Sequence, residues 1–414
     1  MRQAIGPAAI HSGVVEVNSS SQAERARRMA AIRANLTGLA LVAPLVLFLL
    51  VTFLIPLGRM LVLAVDDSEI AMVMPRTVAS LAEWDRAASP PADAYNAVGL
   101  DLLEARRDRT VGTAARRLGY DDADLRTLLQ ATARGLPRDA AADIDWRATL
   151  VALDPAWDEN RIWIAIDNAR GPFTDLHVLM ALGLRGGEDA TLYMSVSLRS
   201  FAIALSATVL CMLLSLPAAY LLASVRRTTA NVLMLALLLP LWTSVLVRST
   251  AWLVILQKNG ILNQVLMALH ITDAPLELVY NRAGVLIALT HVLLPYAVLP
   301  VYASMKALPR TQMQAARSLG AGPLAGFFRV YLPQILPGLS AGGLMVFILA
   351  LGYYITPLLL GGAGDQMLPY YIAYNTLQAL NWGLAAALAS LLLVATIVLY
   401  TIYVRLVGVE RVGV

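Results

Sequence analysis

Residues 283–323 read AGVLIALTHVLLPYAVLPVYASMKALPRTQMQAARSLGAGP. Positions 283–305 hold no Asp, Glu, Lys or Arg. A helix needs about 20 apolar residues to cross roughly 30 Å of hydrocarbon, so this run predicts one membrane span. The chain after it is basic and punctuated by turn residues, with Lys306, Arg310, Arg317 and then Arg329. A span that empties into a basic loop points its end at the cytoplasm.

Outward from this stretch, five more windows lack those four charged residues: 34–58, 200–225, 228–247, 330–364 and 366–404. The first three predict one span each. Window 330–364 opens on an amphipathic stretch with Pro333 and Pro337, expected to reset the chain before a fifth span at 338–360. Window 366–404 opens on a polar, aromatic stretch, so the sixth span is expected at 383–404. Basic residues then cluster at Arg25, Arg27, Arg28 and Arg33, at Arg226 and Arg227, from Lys306 to Arg329, and at Arg405 and Arg411. Six spans place all four clusters on one side, with both termini cytoplasmic. The opposite loops agree: 256–282 carries only Lys258 and Arg282, and 361–382 carries no basic residue. The first apolar run exceeds a signal-peptide core and is expected to stay as a span.

Composition supports a membrane protein with one polar insertion. The chain of 414 residues is 58% hydrophobic and 14% charged, against about 25% charged in soluble domains. Its net charge of +4 divides unevenly. Residues 66–197 hold 22 acids and 14 arginines (−8), leaving 6 of the 28 acids and 18 of the 32 bases (+12) elsewhere. The expected organisation is a cytoplasmic tail at 1–33, a first span at 34–65, an extracytoplasmic insertion at 66–197 and a five-span core at 198–414. Within the insertion, Asp121-Asp122-Ala123-Asp124 resembles a helix start, continued by Leu125, Leu128 and Leu129. Pro155 with Trp157, Ile162, Trp163 and Ile166 suggests a further helix, and Phe173-Thr174-Asp175-Leu176 caps the next. The insertion thus reads as short α-helices with little or no strand.

Several chemistries find no support. Cys211 is the only cysteine, so no internal disulfide or Cys-based metal site exists. The acids at 121–124 favour a helix N-terminus over a cation site. His11, His177, His270 and His291 lie in four separate segments, and no catalytic or Walker A pattern occurs. The basic excess flanks apolar runs, which fits a bilayer and not a nucleic acid.

The loop after the fourth span carries the functional signal. Pro309 and Thr311 begin a short helix, Gly320 suits the left-handed position that ends it, and Gly322-Pro323 begin another. Gln314-Ala315-Ala316, three residues, Gly320, nine residues, then Val330, one residue and Leu332-Pro333 resemble the cytoplasmic signature of ABC-importer permease subunits, E-A-A-x3-G-x9-I-x-L-P. Gln314 stands for Glu and Val330 for Ile. Ser197-Leu198-Arg199-Ser200, Leu216-Pro217-Ala218-Ala219-Tyr220, Pro240-Leu241-Trp242-Thr243-Ser244 and Ile355-Thr356-Pro357 resemble the spermidine/putrescine-type branch.

The resemblance implies an all-α membrane protein of the type I permease fold in the bacterial inner membrane. It implies a cytoplasmic ABC ATPase dimer, a second permease and a periplasmic solute-binding protein as partners. ATP sits on the ATPase, and this chain binds no cofactor. Gln314, Ala315, Ala316, Gly320, Leu332 and Pro333, in a coupling loop at 306–336, take the ATPase-docking role. The solute is a small organic compound, polyamine-like or amino-acid/opine-like. Arg248 is the one charge expected inside a span, where a charge is costly and marks a pathway or cavity. With Trp242, Tyr353 and Tyr354 it forms a set of path residues. The rival reading, a stand-alone channel or secondary transporter, lacks the intramembrane carboxylates and inverted repeats that such proteins often show.

Overall fold

The computed structural model describes residues 42–137, 144–185 and 190–407. The basic cluster at 25–33, residues 34–41 of the first window, and Arg411 lie outside them. The first helix, α1 (Val42–Leu63), is apolar apart from Thr52 and Arg59, buries none of its residues and contains a π-turn at Leu50–Leu54.

The polar stretch folds into short helices around its own core: α2 (Glu69–Val73), α3 (Pro75–Ser80), α4 (Ala92–Arg107), α5 (Val111–Leu118), α6 (Ala123–Gly135), α7 (Trp146–Leu153), α8 (Asn160–Asn168) and α9 (Leu176–Ala181). No strand occurs among the described residues, only an isolated bridge between Asp66 and Phe173. Asp122 caps α6 by accepting from the Asp124 amide at 3.0 Å, and Asp145 caps α7 by accepting from Ala148 at 3.0 Å. Such caps satisfy amides that a helix start leaves free. Leu125, Leu128 and Leu129 then turn one face of α6 inward. The helix expected from Pro155 is split. Asp154 caps a 3₁₀ turn at Pro155–Asp158, and α8 starts only after the extended Glu159.

Trp157 and Trp163 fill the centre of this layer, fully buried. Their indole N–H groups donate to Thr132 Oγ1 (2.8 Å) and to the Trp157 carbonyl (3.1 Å), which removes the cost of burying them. The acids of 121–124 are ion-paired: Asp121 with Arg117 and Arg185, and Asp122 and Asp124 with Arg161. Arg117, almost fully buried, grips Asp67 through two guanidinium nitrogens and Asp121 through a third.

The apolar part is built on three helices: α10 (Ala190–Ser224), then, after α11 (Arg227–Leu238), α12 (Val245–Leu256) and α13 (Ile261–Ala268), the long α14 (Arg282–Ala307). Two short helices, α15 (Arg310–Ser318) and α16 (Pro323–Gly326), lead to α17 (Leu332–Leu351). The chain ends in α18 (Ile355–Leu360), α19 (Leu368–Leu377) and α20 (Trp382–Val407). α14 is the most enclosed span, with 61% of its apolar window buried. Ala204, Ala207 and Cys211 of α10, Ala288, Leu289 and Leu293 of α14, and Val346 and Ala350 of α17 form one core. At Gly338, a Cβ would lie 2.0 Å from Ser304 Oγ and 2.6 Å from the Pro300 carbonyl, so α17 approaches α14 as closely as glycine permits. Small residues drive such packing in lipid, where apolar side chains gain nothing from leaving water.

Among the described residues, five helices are long and apolar enough to cross a membrane, and a bent pair raises the count to six. That pair corrects the third window. The expected straight span at 228–247 breaks after Trp242, and the chain turns by 102° into a second arm beginning at Val245. Pro240 lacks an amide to continue the helix, and Ser244 starts the next by accepting from Val247 at 3.2 Å. The fifth span also differs. Pro333 and Pro337 do not reset the chain, because Pro323–Leu351 is one continuous helical run. A π-turn at Phe327–Tyr331 just ahead of Pro333 absorbs its missing donor. The helix then stops at Leu351, not at 360, with Gly352 capping it. The sixth window holds α20 where it was expected. α10 begins at Ala190, so residue 197 falls inside a helix.

Arg117→Met should destabilise the polar layer by about 3–5 kcal/mol, because it strands the buried Asp67 carboxylate. Thermal unfolding and limited proteolysis of the purified chain report this loss. Arg117→Met with Asp67→Leu should recover most of it, since no unpaired charge remains.

Candidate functional site

Two places collect the residues singled out by the sequence. The first is the loop between α14 and α17. α15 ends as expected at Gly320, the backbone of which is left-handed with φ +84°. The Gly320 amide donates to the Arg317 carbonyl (3.0 Å) and the Ala321 amide to the Ala316 carbonyl (3.0 Å), the two bonds of a Schellman cap. Gly322 then caps α16, with Pro323 at its first position. The start of α15 differs from expectation. Thr311 lies within the first turn and Pro309 takes the cap position, its carbonyl accepting from Gln312 at 3.3 Å. Proline before the helix already sets an extended backbone there, so no hydroxyl cap is needed.

The loop turns a mixed face outward. Gln314, Ala315 and Pro333 are exposed, and Leu332 is half-buried. Ala316 is buried against its own chain, so of the two alanines only Ala315 leaves an outside surface open. Sequence reading missed the apolar part of that surface: Leu319 is 89% exposed, Leu324 76% and Phe328 59%. Their spacing on either side of the Gly320 bend was a visible signal, since large apolar residues in a basic loop have no reason to face water. Behind the loop lies a cavity of about 500 Å³, with Tyr220, Gln312, Gln314 and Arg317 in its walls.

The second place lies beside the bend. Arg248, on the arm after the break, buries Nε and Nη1 with no hydrogen-bond partner among the described residues. It sits within electrostatic reach of His291 on α14 and of Tyr353 where α17 ends. Trp252, one turn beyond Arg248, donates from Nε1 to His291 Nδ1 at 3.1 Å, the rings edge to face at 5.2 Å. Ser249 and Thr356 share a buried hydroxyl contact of 2.9 Å that ties α12 to α18. The structure thus brings Arg248 and Tyr353 together and adds Trp252 and His291. Tyr354 is the cap residue of α18. Trp242 stands apart before the bend, 75% exposed. The four-residue spacing of Arg248 and Trp252 pointed to a shared helix face, but His291 comes from 39 residues away and has no such local signature. No grouping of three His, Cys, Asp or Glu suited to a metal occurs among the described residues.

Comparison with known proteins places this architecture. The family model described as "Binding-protein-dependent transport system inner membrane component" matches residues 190–408, just over half of the chain. The spermidine/putrescine transport system permease protein PotB of Escherichia coli K12 is 33% identical over 214 residues, covering 52% of this chain and 78% of that protein. The inner membrane ABC transporter permease protein YdcU of the same organism is 30% identical, covering 51% of this chain and 71% of that protein. A chain of a crystallised bacterial alginate ABC transporter, in complex with an alginate-bound periplasmic protein, is 16% identical with a TM-score of 0.43, covering 58% of this chain and 89% of that one.

Matched over residues 190–408, the chain belongs to the binding-protein-dependent transport system inner membrane components: it is a multi-pass inner-membrane permease subunit of an ABC importer, of the spermidine/putrescine type, and works with a separate ATPase and a periplasmic binding protein.

Proposed function

We propose that the α15–α16 loop is where the ATPase docks, and that the path for the solute runs past Arg248, Tyr353 and Tyr354, with Trp242 at its rim. The observation that carries the docking reading is the exposure of Leu319, Leu324 and Phe328 around the left-handed Gly320. A groove on a cytoplasmic partner would cover these side chains, and Gln314 and Ala315 lie on the same short helix. The Gln at 314 offers a neutral acceptor where the family signature has a charge. The loop is continuous with α14 on one side and α17 on the other, so a push on it moves a closely packed helix pair.

The path is completed by a second permease, and both termini of this chain are cytoplasmic. The basic residues at 226–227, 306–329 and 405 support that orientation, which leaves the acidic helical layer outside. The solute is a small organic compound, polyamine-like or amino-acid/opine-like. PotB, named for spermidine and putrescine, supports the first alternative. The cationic Arg248, with no acid in any span to pair with it, supports a solute or partner that presents an anionic group there.

Gly320→Val places a β-branched residue at φ +84°, costing roughly 1–2 kcal/mol at that position and misdirecting both short helices. ATPase co-purification or ATP-driven uptake should fall, while the bundle still folds, since the change lies outside it. If both stay at wild-type levels for Gly320→Val and for Leu319→Asp, the docking assignment is wrong. Arg248→Ala should lower uptake roughly ten-fold or more, the worth of a lost charged hydrogen bond, with assembly of the complex nearly unchanged. Wild-type uptake by the variant would remove Arg248 from the path.

A further inference from the structure

The cavity of about 500 Å³ behind the Gly320 loop is built by the ends of three helices. α10 brings Tyr220 and Ser224 to its wall, the end of α14 brings Lys306, and α15 brings Gln312, Gln314 and Arg317. The charge-free windows 200–225 and 283–305 end here, and window 330–364 begins here. The cavity therefore sits at the level where hydrocarbon gives way to lipid headgroups. The ring of Tyr220 stands edge-on to Tyr331 at 6.5 Å, and such amphipathic rings settle at that level.

Charge selects the kind of ligand. Lys306 and Arg317 are both exposed. The segments that build the walls, 190–224 and 282–351, contain no Asp or Glu, so neither cation finds a carboxylate on these helices. Beside them stand groups able to donate: the Tyr220 and Ser224 hydroxyls and the Gln312 amide. Gln334, also on the wall, has spent Nε2 on the Val330 carbonyl at 2.8 Å. Two positive charges and several neutral donors, with no acid among them, suit an anion with several acceptor oxygens, as a phosphate has.

The helix above the cavity decides what carries that phosphate. Leu205, Val209, Leu213, Pro217, Tyr220 and Ser224 recur every three or four residues along α10, and all are exposed, so they form one stripe on the helix. The last two members of the stripe are cavity wall. From Leu205 to Tyr220 it runs about 22 Å, more than half of roughly 30 Å of hydrocarbon. An acyl chain laid along it has its headgroup at the cavity. Free phosphate uses the cations alone, whereas a phospholipid uses the cations and the stripe. Basic pockets between spans on the cytoplasmic side suit such headgroups. Leu319, Leu324 and Phe328 are not part of this wall, so the cavity and the ATPase-docking surface are distinct.

We propose that this cavity binds the headgroup of an anionic phospholipid, its phosphate held by Lys306 and Arg317 and its acyl chains lying on the Leu205, Val209 and Leu213 stripe of α10. The inference goes beyond the docking and path readings and needs only that α10, α14 and α17 cross the bilayer.

The test uses the full chain purified in mild detergent with its partner permease and ATPase. Phosphatidylglycerol is titrated in, and native mass spectrometry counts the lipid bound. Phosphatidylcholine is the zwitterionic control and inorganic phosphate the control without chains. Wild type should bind phosphatidylglycerol saturably and phosphatidylcholine several-fold more weakly, and inorganic phosphate at equal concentration should not displace the lipid. Lys306→Gln with Arg317→Gln should weaken binding roughly ten-fold or more, the worth of a charge-assisted hydrogen bond, and Leu213→Asn should weaken it several-fold. Arg405→Gln, an exposed cation outside the wall, should change nothing. Thermal melting identifies any variant that fails to fold, and a second readout on wild type needs no variant: phosphatidylglycerol with a photoreactive headgroup should crosslink α15 or the end of α10. Crosslinks confined to other segments, equal binding of phosphatidylcholine, displacement by inorganic phosphate, or affinity unchanged in the double variant overturns the proposal. An equal loss in Arg405→Gln also overturns it, because general surface charge then explains the binding. The double variant should keep its ATPase; loss of ATPase and lipid together would assign the cavity to the ATPase and overturn the proposal.

Discussion

The close approach of α17 to α14 is the contact on which the rest of the bundle depends. At Gly338 the two backbones meet with no room for a side chain, and Ser304 and Pro300 of α14 fill that space. In lipid this is van der Waals packing without help from the hydrophobic effect, so it demands small residues at fixed places. The alanines of α10 and α14 meet the same demand on the neighbouring face. The Gly320 loop joins these two closely packed helices and is continuous with both.

Polar groups obey a matching division. Within the bundle, several buried hydroxyls bond to backbone or to one another, as Ser200 does to the Leu368 amide at 2.7 Å and Ser249 to Thr356. In the polar helical layer the same need is met with charges, through Arg117 with Asp67 and Asp121, and through Asp101 with Thr77 and Arg76. Arg248 Nε and Nη1 depart from this pattern, as do other buried atoms such as Thr290 Oγ1 and Arg116 Nε.

Much of this was legible in the sequence. Charge-free windows announced the spans, because a charge inside hydrocarbon is expensive. Gly320 announced its left-handed backbone, and Asp122 its cap. The failures have physical causes. The bend after Trp242 hides in an apolar window, since hydropathy is blind to a proline that removes one donor. The π-turn before Pro333 is invisible for the same reason, so a helix that continues looked like one that restarts. Ala316 read as an outside surface because a small residue fits equally well inside, and its burial depends on how α15 folds back on its own chain. His291 and Tyr220 reach their sites from distant segments, and no local pattern encodes them.

The central claim is that the Gly320 loop faces a cytoplasmic ATPase while the acidic helical layer faces outward. Accessibility of single cysteines to a membrane-impermeant thiol reagent tests it most directly, in a background where the buried Cys211 is replaced by alanine. The account predicts that Ala123→Cys is labelled in intact cells. It predicts that Leu319→Cys is labelled only after the membrane is opened, and is protected when the ATPase is bound. Labelling of Leu319→Cys from outside, or equal labelling with and without the ATPase, would contradict it.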